Sequence, residues 1–192
     1  INFLQTTNEE GMPMNTTKKT TLSAVLLSLS LVLPFLTAQM QELGSKLLPM
    51  HIPILICGFV CGWKYGLLTG FMAPLLRCML FSMPAPVKAL GMAFELATYG
   101  SVSGFVYQKM KKSRFRIYIS LLTAMLLGRV VWGAVNMVIY GIRQSAFTWQ
   151  MFLGGALLNA IPGIILQLVL IPIIILALEK SGVISKKSGF LR

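Results

Sequence analysis

The stretch from Ala73 to Gly104, APLLRCMLFSMPAPVKALGMAFELATYGSVSG, sets Arg77 and Glu95 inside segments otherwise fit for hydrocarbon. A charged side chain near the middle of a spanning helix costs roughly 2.5 to 3.5 kcal/mol on insertion scales, so it faces a bundle interior, a partner or a solute pathway. Pro84 and Pro86 separate the two segments, since neither can continue a helix from the preceding turn. Function is therefore read outward from the charges that this stretch buries.

The rest of the chain has the same character. Of its 192 residues, 56% are hydrophobic and 11% charged, with a mean hydropathy of +0.77, far from the balance of soluble domains. These values define an all-α integral membrane protein. The length allows about six spans of some 20 residues in one compact bundle. The spacing predicts spans at about Thr21 to Ala38, Ile52 to Trp63, Gly66 to Phe81, Val87 to Tyr107, Ile117 to Tyr140 and Met151 to Leu178. The second is short for a straight crossing, and Pro53, Gly58 and Gly62 invite distortion. The expected organisation is a disordered leader over residues 1–17, a membrane domain over 18–181 and a basic cytoplasmic tail over 182–192. Met14 suits a natural start, because the polar residues before it resemble nothing that follows. The polar loop Gln39 to Met50 suits a lid.

A formal net charge of +12 raises nucleic acid as a partner, but the basic residues gather at span ends. Apart from Lys46, Lys88, Arg143 and the two in-span arginines, Arg77 and Arg129, every Lys and Arg falls on one side of a six-span layout. By the positive-inside rule that side is the cytoplasm, and both termini lie there. Cys57, Cys61 and Cys78 have no metal-ligand spacing and His51 has no second histidine to pair with, so no metal or cofactor is expected.

Rise per residue converts position into depth. At about 1.5 Å per residue, Arg77 lies roughly 6 Å and Glu95 roughly 4 Å outward of their span centres, Arg129 near mid-span, and Asn136 and Asn159 roughly 7 to 10 Å outward. All fit one chamber in the outer half. Arg129, Trp132, Asn136 and Tyr140 recur at helical steps and form one polar and aromatic face of span five. Gly91, Glu95 and Tyr99 make a stripe on span four, and Gly155, Asn159, Gly163 and Gln167 another on span six. The glycines fit close helix packing better than ligand contact. Glu95 can neutralise only one of Arg77 and Arg129, and the spacing leaves open which. It also leaves open whether the charges are an internal ion pair or a site. A surplus guanidinium offers a planar fork for a carboxylate or phosphate. His51, between Pro49 and Pro53, reads as an interfacial residue at the outer end of span two.

The segments LPMHIPILICGFVCGWKYGLLTGFMAPLLRCMLF and AFELATYGSVSGFVY, set in six short spans, resemble the substrate-binding S component of energy-coupling factor (ECF) vitamin transporters. The resemblance covers nearly everything from Met14 onward. It implies a subunit of the bacterial cell membrane that captures a vitamin or precursor from outside and topples to release it inside. The implied partners are the transmembrane coupling protein EcfT and two ATPase subunits. It also implies a solute held among spans four, five and six, in agreement with the depths, and the expected site is Arg77 of span three together with Glu95, Tyr99, Arg129, Trp132, Asn136, Asn159 and Gln167. The family's AxxxA-like contact with the coupling protein falls on Ala24 and Ser28 of SAVLLS, where serine replaces the second alanine. The surplus arginine and modest aromatic supply suit a small flexible acid, pantothenate first.

Three other classes compete, one of them a purely structural membrane subunit, which predicts no ligand. An autonomous proton-coupled carrier for a small organic anion would use Glu95 as a relay. An intramembrane serine protease would need Ser103 near His51, yet Gly100-Ser101-Val102-Ser103-Gly104 is not GxSG, and the depths place the two residues at opposite ends.

Overall fold

The computed structural model describes residues 14–37, 48–111, 113, 115–142, 154 and 161–181. These contain six helices: α1 (Thr16–Thr37), α2 (His51–Cys61), α3 (Trp63–Phe81), α4 (Pro86–Lys109), α5 (Arg116–Ile142) and α6 (Ile161–Lys180). Their bounds lie within a few residues of those expected from hydropathy, except that α6 is described only from Ile161. The proposed lid, the leader before Met14 and the tail after Ser181 lie outside the described residues. Three helices, α1, α5 and α6, are each long and apolar enough to cross a membrane.

The second segment departs from the expected reading as a span. At 11 residues, or roughly 16 Å, α2 covers only about half the hydrocarbon thickness. Every one of its residues is buried. An apolar helix with no polar face is stable when protein surrounds it on all sides. Here α1, α3, α4 and α6 do so.

A single residue joins α2 to α3. Gly62 has φ of +101°, a backbone conformation that side chains with a Cβ rarely adopt, and it reverses the chain between the two helices. Its N–H donates to Gly58 O at 3.1 Å, and its carbonyl accepts from Gly66 N at 3.0 Å. The two helices return alongside each other so closely that a Cβ on Gly66 would lie 2.8 Å from Gly58 Cα.

Helix α4 occupies the centre, against α2, α3 and α5. Its contact with α2 and α3 is backbone on backbone. A Cβ at Gly66 or Gly58 would stand 2.3 Å from Gly100 O, and one at Gly104 would stand 2.5 Å from Gly58 O. In a bilayer, where lipid tails are as apolar as the side chains, such close approach supplies the dispersion contacts that hold helices together. Gly58, Gly66, Gly100 and Gly104 are thus packing residues.

On its other side α4 runs antiparallel to α5. Gly91 packs against the Asn136 side chain and Gly128 against the Tyr99 ring, so eight residues forward on α4 match eight back on α5. Midway between these contacts α4 carries Glu95. Helix α6 then closes against α2 and α5, burying Gly163, Gln167, Ile171 and Ile175 on one stripe.

Candidate functional site

The α4–α5 register determines which arginine meets the buried carboxylate. Arg129 Nη1 lies 3.1 Å from Glu95 Oε1, with the Glu95 side chain buried and that of Arg129 12% exposed. The two form an ion pair without the alignment of a hydrogen bond, and Glu95 Oε1 has no hydrogen-bond donor among the described residues. The other edge of the guanidinium is enclosed by protein yet makes no hydrogen bond among the described residues. Arg129 Nε and Nη2 are buried with no acceptor among the described residues. These are the two parallel N–H donors that fit the two oxygens of a carboxylate.

His51 completes the cluster, which corrects the reading of it as an interfacial residue. It is 2% exposed. Its Nε2 stands 3.8 Å from Glu95 Oε1, and its ring is tilted against Tyr99 at 5.2 Å between centroids. Neither ring nitrogen has a hydrogen-bond partner among the described residues. Because α2 is a core helix rather than a lipid-facing one, its first residue is carried inside the bundle. The signal available in the sequence was the shortness of the segment.

Arg77 is not brought to this cluster, which corrects the expectation of one chamber holding both arginines. It projects from α3 toward α1, where Nη1 donates to Leu31 O at 2.6 Å. Its guanidinium covers the ring of Phe35 at 4.8 Å and approaches that of Phe81 at 5.8 Å. Leu31 lies within a turn of Pro34, whose missing N–H loosens the ladder of α1. Depth alone placed Arg77 beside Glu95; the face of α3 that carries it points elsewhere.

The remaining expected residues divide. Tyr99 is buried with its ring over Gly128. Asn136 is buried and donates from Nδ2 to Trp132 O at 2.8 Å, within its own helix, while its amide faces Gly91. Gln167 is 1% exposed, and its Nε2 has no partner among the described residues. Trp132 is half-buried. Asn159 lies outside the described residues. On α1, Ala24 and Ser28 are exposed, and the Ser28 hydroxyl donates to Ala24 O at 3.0 Å, so both present a small surface outward.

A second polar cluster, not singled out from the sequence, ties the opposite end. Tyr107 OH donates to Glu179 Oε1, Arg116 Nη2 pairs with the same oxygen at 3.2 Å, and the Arg116 guanidinium lies 3.7 Å over the Tyr107 ring. Arg116, one of the basic residues on the side assigned to the cytoplasm, is buried at the start of α5. Glu95 and Glu179 thus each hold an arginine of α5, one from α4 and one from α6.

The described residues thus form a bundle of six helices, one of them short, reversed at a glycine and enclosed by four others, around a partly unsatisfied Arg–Glu–His cluster. Residues 18–175 match the profile of a family described as ECF transporter, substrate-specific component. The match spans most of the chain, and the protein belongs to this family. It is therefore a multi-pass membrane transporter subunit and not an enzyme. Components of this family work with EcfT and ATPases. No curated protein and no solved structure matches the chain.

Proposed function

We propose that this component captures a small carboxylate-bearing vitamin or precursor from the outer side, pantothenate first, at Arg129. The observation that carries the reading is the buried Nε and Nη2 edge of Arg129, which has no acceptor among the described residues. Buried donors without partners cost about 1–3 kcal/mol each, so a site that keeps them is built for an acceptor brought from outside. Glu95 on Nη1 fixes the plane of the fork, and the proposed surrounding wall is Tyr99, Asn136, Trp132 and Gln167, with Asn159, which lies outside the described residues, as a further proposed ligand. Release inward then depends on EcfT and two ATPases, docked against the Ala24 and Ser28 surface of α1. An autonomous proton-driven carrier needs no such partners, and membership in a family energised by ATPases argues against it.

Mass spectrometry of small molecules retained by the gently purified protein identifies the solute, and titration with pantothenate follows. Arg129→Lys keeps the charge and removes the fork. Losing two charge-assisted hydrogen bonds, each about 1.5–3 kcal/mol, weakens binding by at least about tenfold. Arg77→Lys, whose target is Leu31 O, leaves the affinity within about twofold. Retention of a neutral solute, or equal losses in the two variants, would refute the assignment.

A further inference from the structure

We propose that the acid enters this site together with one proton, held on the His51–Glu95 pair. The inference rests on the reading of Arg129 as the carboxylate anchor and adds a charge count to it. With Glu95 ionised against Arg129 and His51 neutral, the empty cluster carries no net charge. Seating a carboxylate on the free edge of Arg129 places two anions on one cation. Glu95 is 2% exposed, so solvent does little to screen its charge. An uncompensated charge in such surroundings is strongly destabilising.

No other described cation reaches the cluster to balance it. Arg77 is held by Leu31 O and the Phe35 ring on the α1 side. Lys88 is exposed near the start of α4, two turns from Glu95. Among the described residues no further cation remains, which leaves a proton from water, and a basic atom stands ready for it: His51 Nε2, 3.8 Å from Glu95 Oε1, with both ring nitrogens unpartnered among the described residues. Once protonated, His51 and Glu95 together are neutral, and the carboxylate of the solute inherits Arg129. The titratable or charged groups facing the pair are Glu95 and Tyr99 from α4 and Arg129 from α5. Helix α6 buries the non-titrating Gln167, α1 buries only serines among its polar residues, and Cys57 and Cys61 lie further along α2.

The sign follows from linkage. The complex holds one more proton than the free protein, so affinity for the acid rises as pH falls, by up to about tenfold per pH unit, until the free pair is itself protonated. A neutral analogue brings no charge and shows no such slope.

The test is calorimetric titration of the full chain in detergent with pantothenate and with biotin, in HEPES and in Tris at about pH 8, whose different ionisation heats report protons taken up. The expected result is close to one proton per acid bound and an affinity that climbs toward about pH 6. The alcohol analogue of pantothenate takes up none. Glu95→Gln removes the second anion, so this variant binds the acid without proton uptake; a merely structural Glu95 would lower affinity and leave the uptake in place. Acid binding by the wild-type chain with no proton uptake and a flat pH profile overturns the coupling and leaves the Arg129 anchor standing. Continued uptake by Glu95→Gln removes the pair as acceptor and also overturns it. Binding of neither acid overturns the acid reading, and this inference falls with it. If Glu95→Gln does not fold, the two-buffer measurement on the wild-type chain decides.

Discussion

Substituting Gly100 by alanine tests whether the backbone seam between α3 and α4 holds the bundle together. The added Cβ would stand 2.2 Å from Gly66 O, 2.5 Å from Gly66 C and 2.9 Å from Gly66 Cα. Ordinary contact begins near 3.4 Å, so the two helices must part by about an ångström. No rotamer relieves the clash, because all three atoms are backbone. Overpacking of a tight contact costs about 1–3 kcal/mol and more where nothing can yield. Gly141→Ala is the internal control: nothing among the described residues lies within 4 Å of its Cβ, and alanine is the better helix former by up to about 1 kcal/mol. Between them stands Gly91→Ala, whose Cβ would meet the Asn136 amide at 3.0 Å, a side-chain end that can shift. Thermal unfolding in one detergent should rank stability as Gly141→Ala at or above wild type, then Gly91→Ala, then Gly100→Ala. A Gly100→Ala protein as stable as Gly141→Ala would show that α3 and α4 are not in backbone contact, and the α4–α5 register argued from the same helix would lose its footing.

Other expectations are independent of the seam. Glu179→Gln weakens the pair with Arg116 and should lower stability by about 1–3 kcal/mol, between the values for exposed and buried pairs, while leaving solute affinity unchanged; unfolding and titration of the same sample check both. Ala24→Leu with Ser28→Leu puts bulk on an exposed face of α1 and should abolish uptake in cells that supply EcfT and the ATPases, with solute binding by the purified chain intact. Loss of binding in that double variant would place the residues in the fold rather than at a docking surface.

Much of the architecture was legible because hydrocarbon imposes it. Backbone groups in a bilayer must be satisfied within the segment, so a run of apolar residues is a helix and its length is its depth. The 3.6-residue repeat put Arg129, Trp132, Asn136 and Tyr140 on one stripe of α5 and Gly91, Glu95 and Tyr99 on one of α4, and of these the structure sets Arg129 against Glu95 and Asn136 against Gly91 in the α4–α5 contact, with Tyr99 against Gly128. Depth and periodicity fix the height of a side chain and which of its own neighbours share its face.

They do not fix which helix that face meets, and here the tertiary structure decided. Arg77 and Arg129 were equal candidates for Glu95 until α4 paired antiparallel with α5 and turned α3 toward α1. His51 was assigned to a surface because a proline-flanked histidine at a span end ordinarily sits in one. It is buried because the glycine at position 62 folds α2 back against α3 and the other helices enclose it. Glu179 and Arg116, far apart in sequence, became partners only when α6 closed on α5. Sequence by itself determined that the chain is a helical membrane bundle with a few charges it must shelter; packing, through backbone contacts that only glycine permits, determined which charges shelter one another and which guanidinium edge remains for a solute.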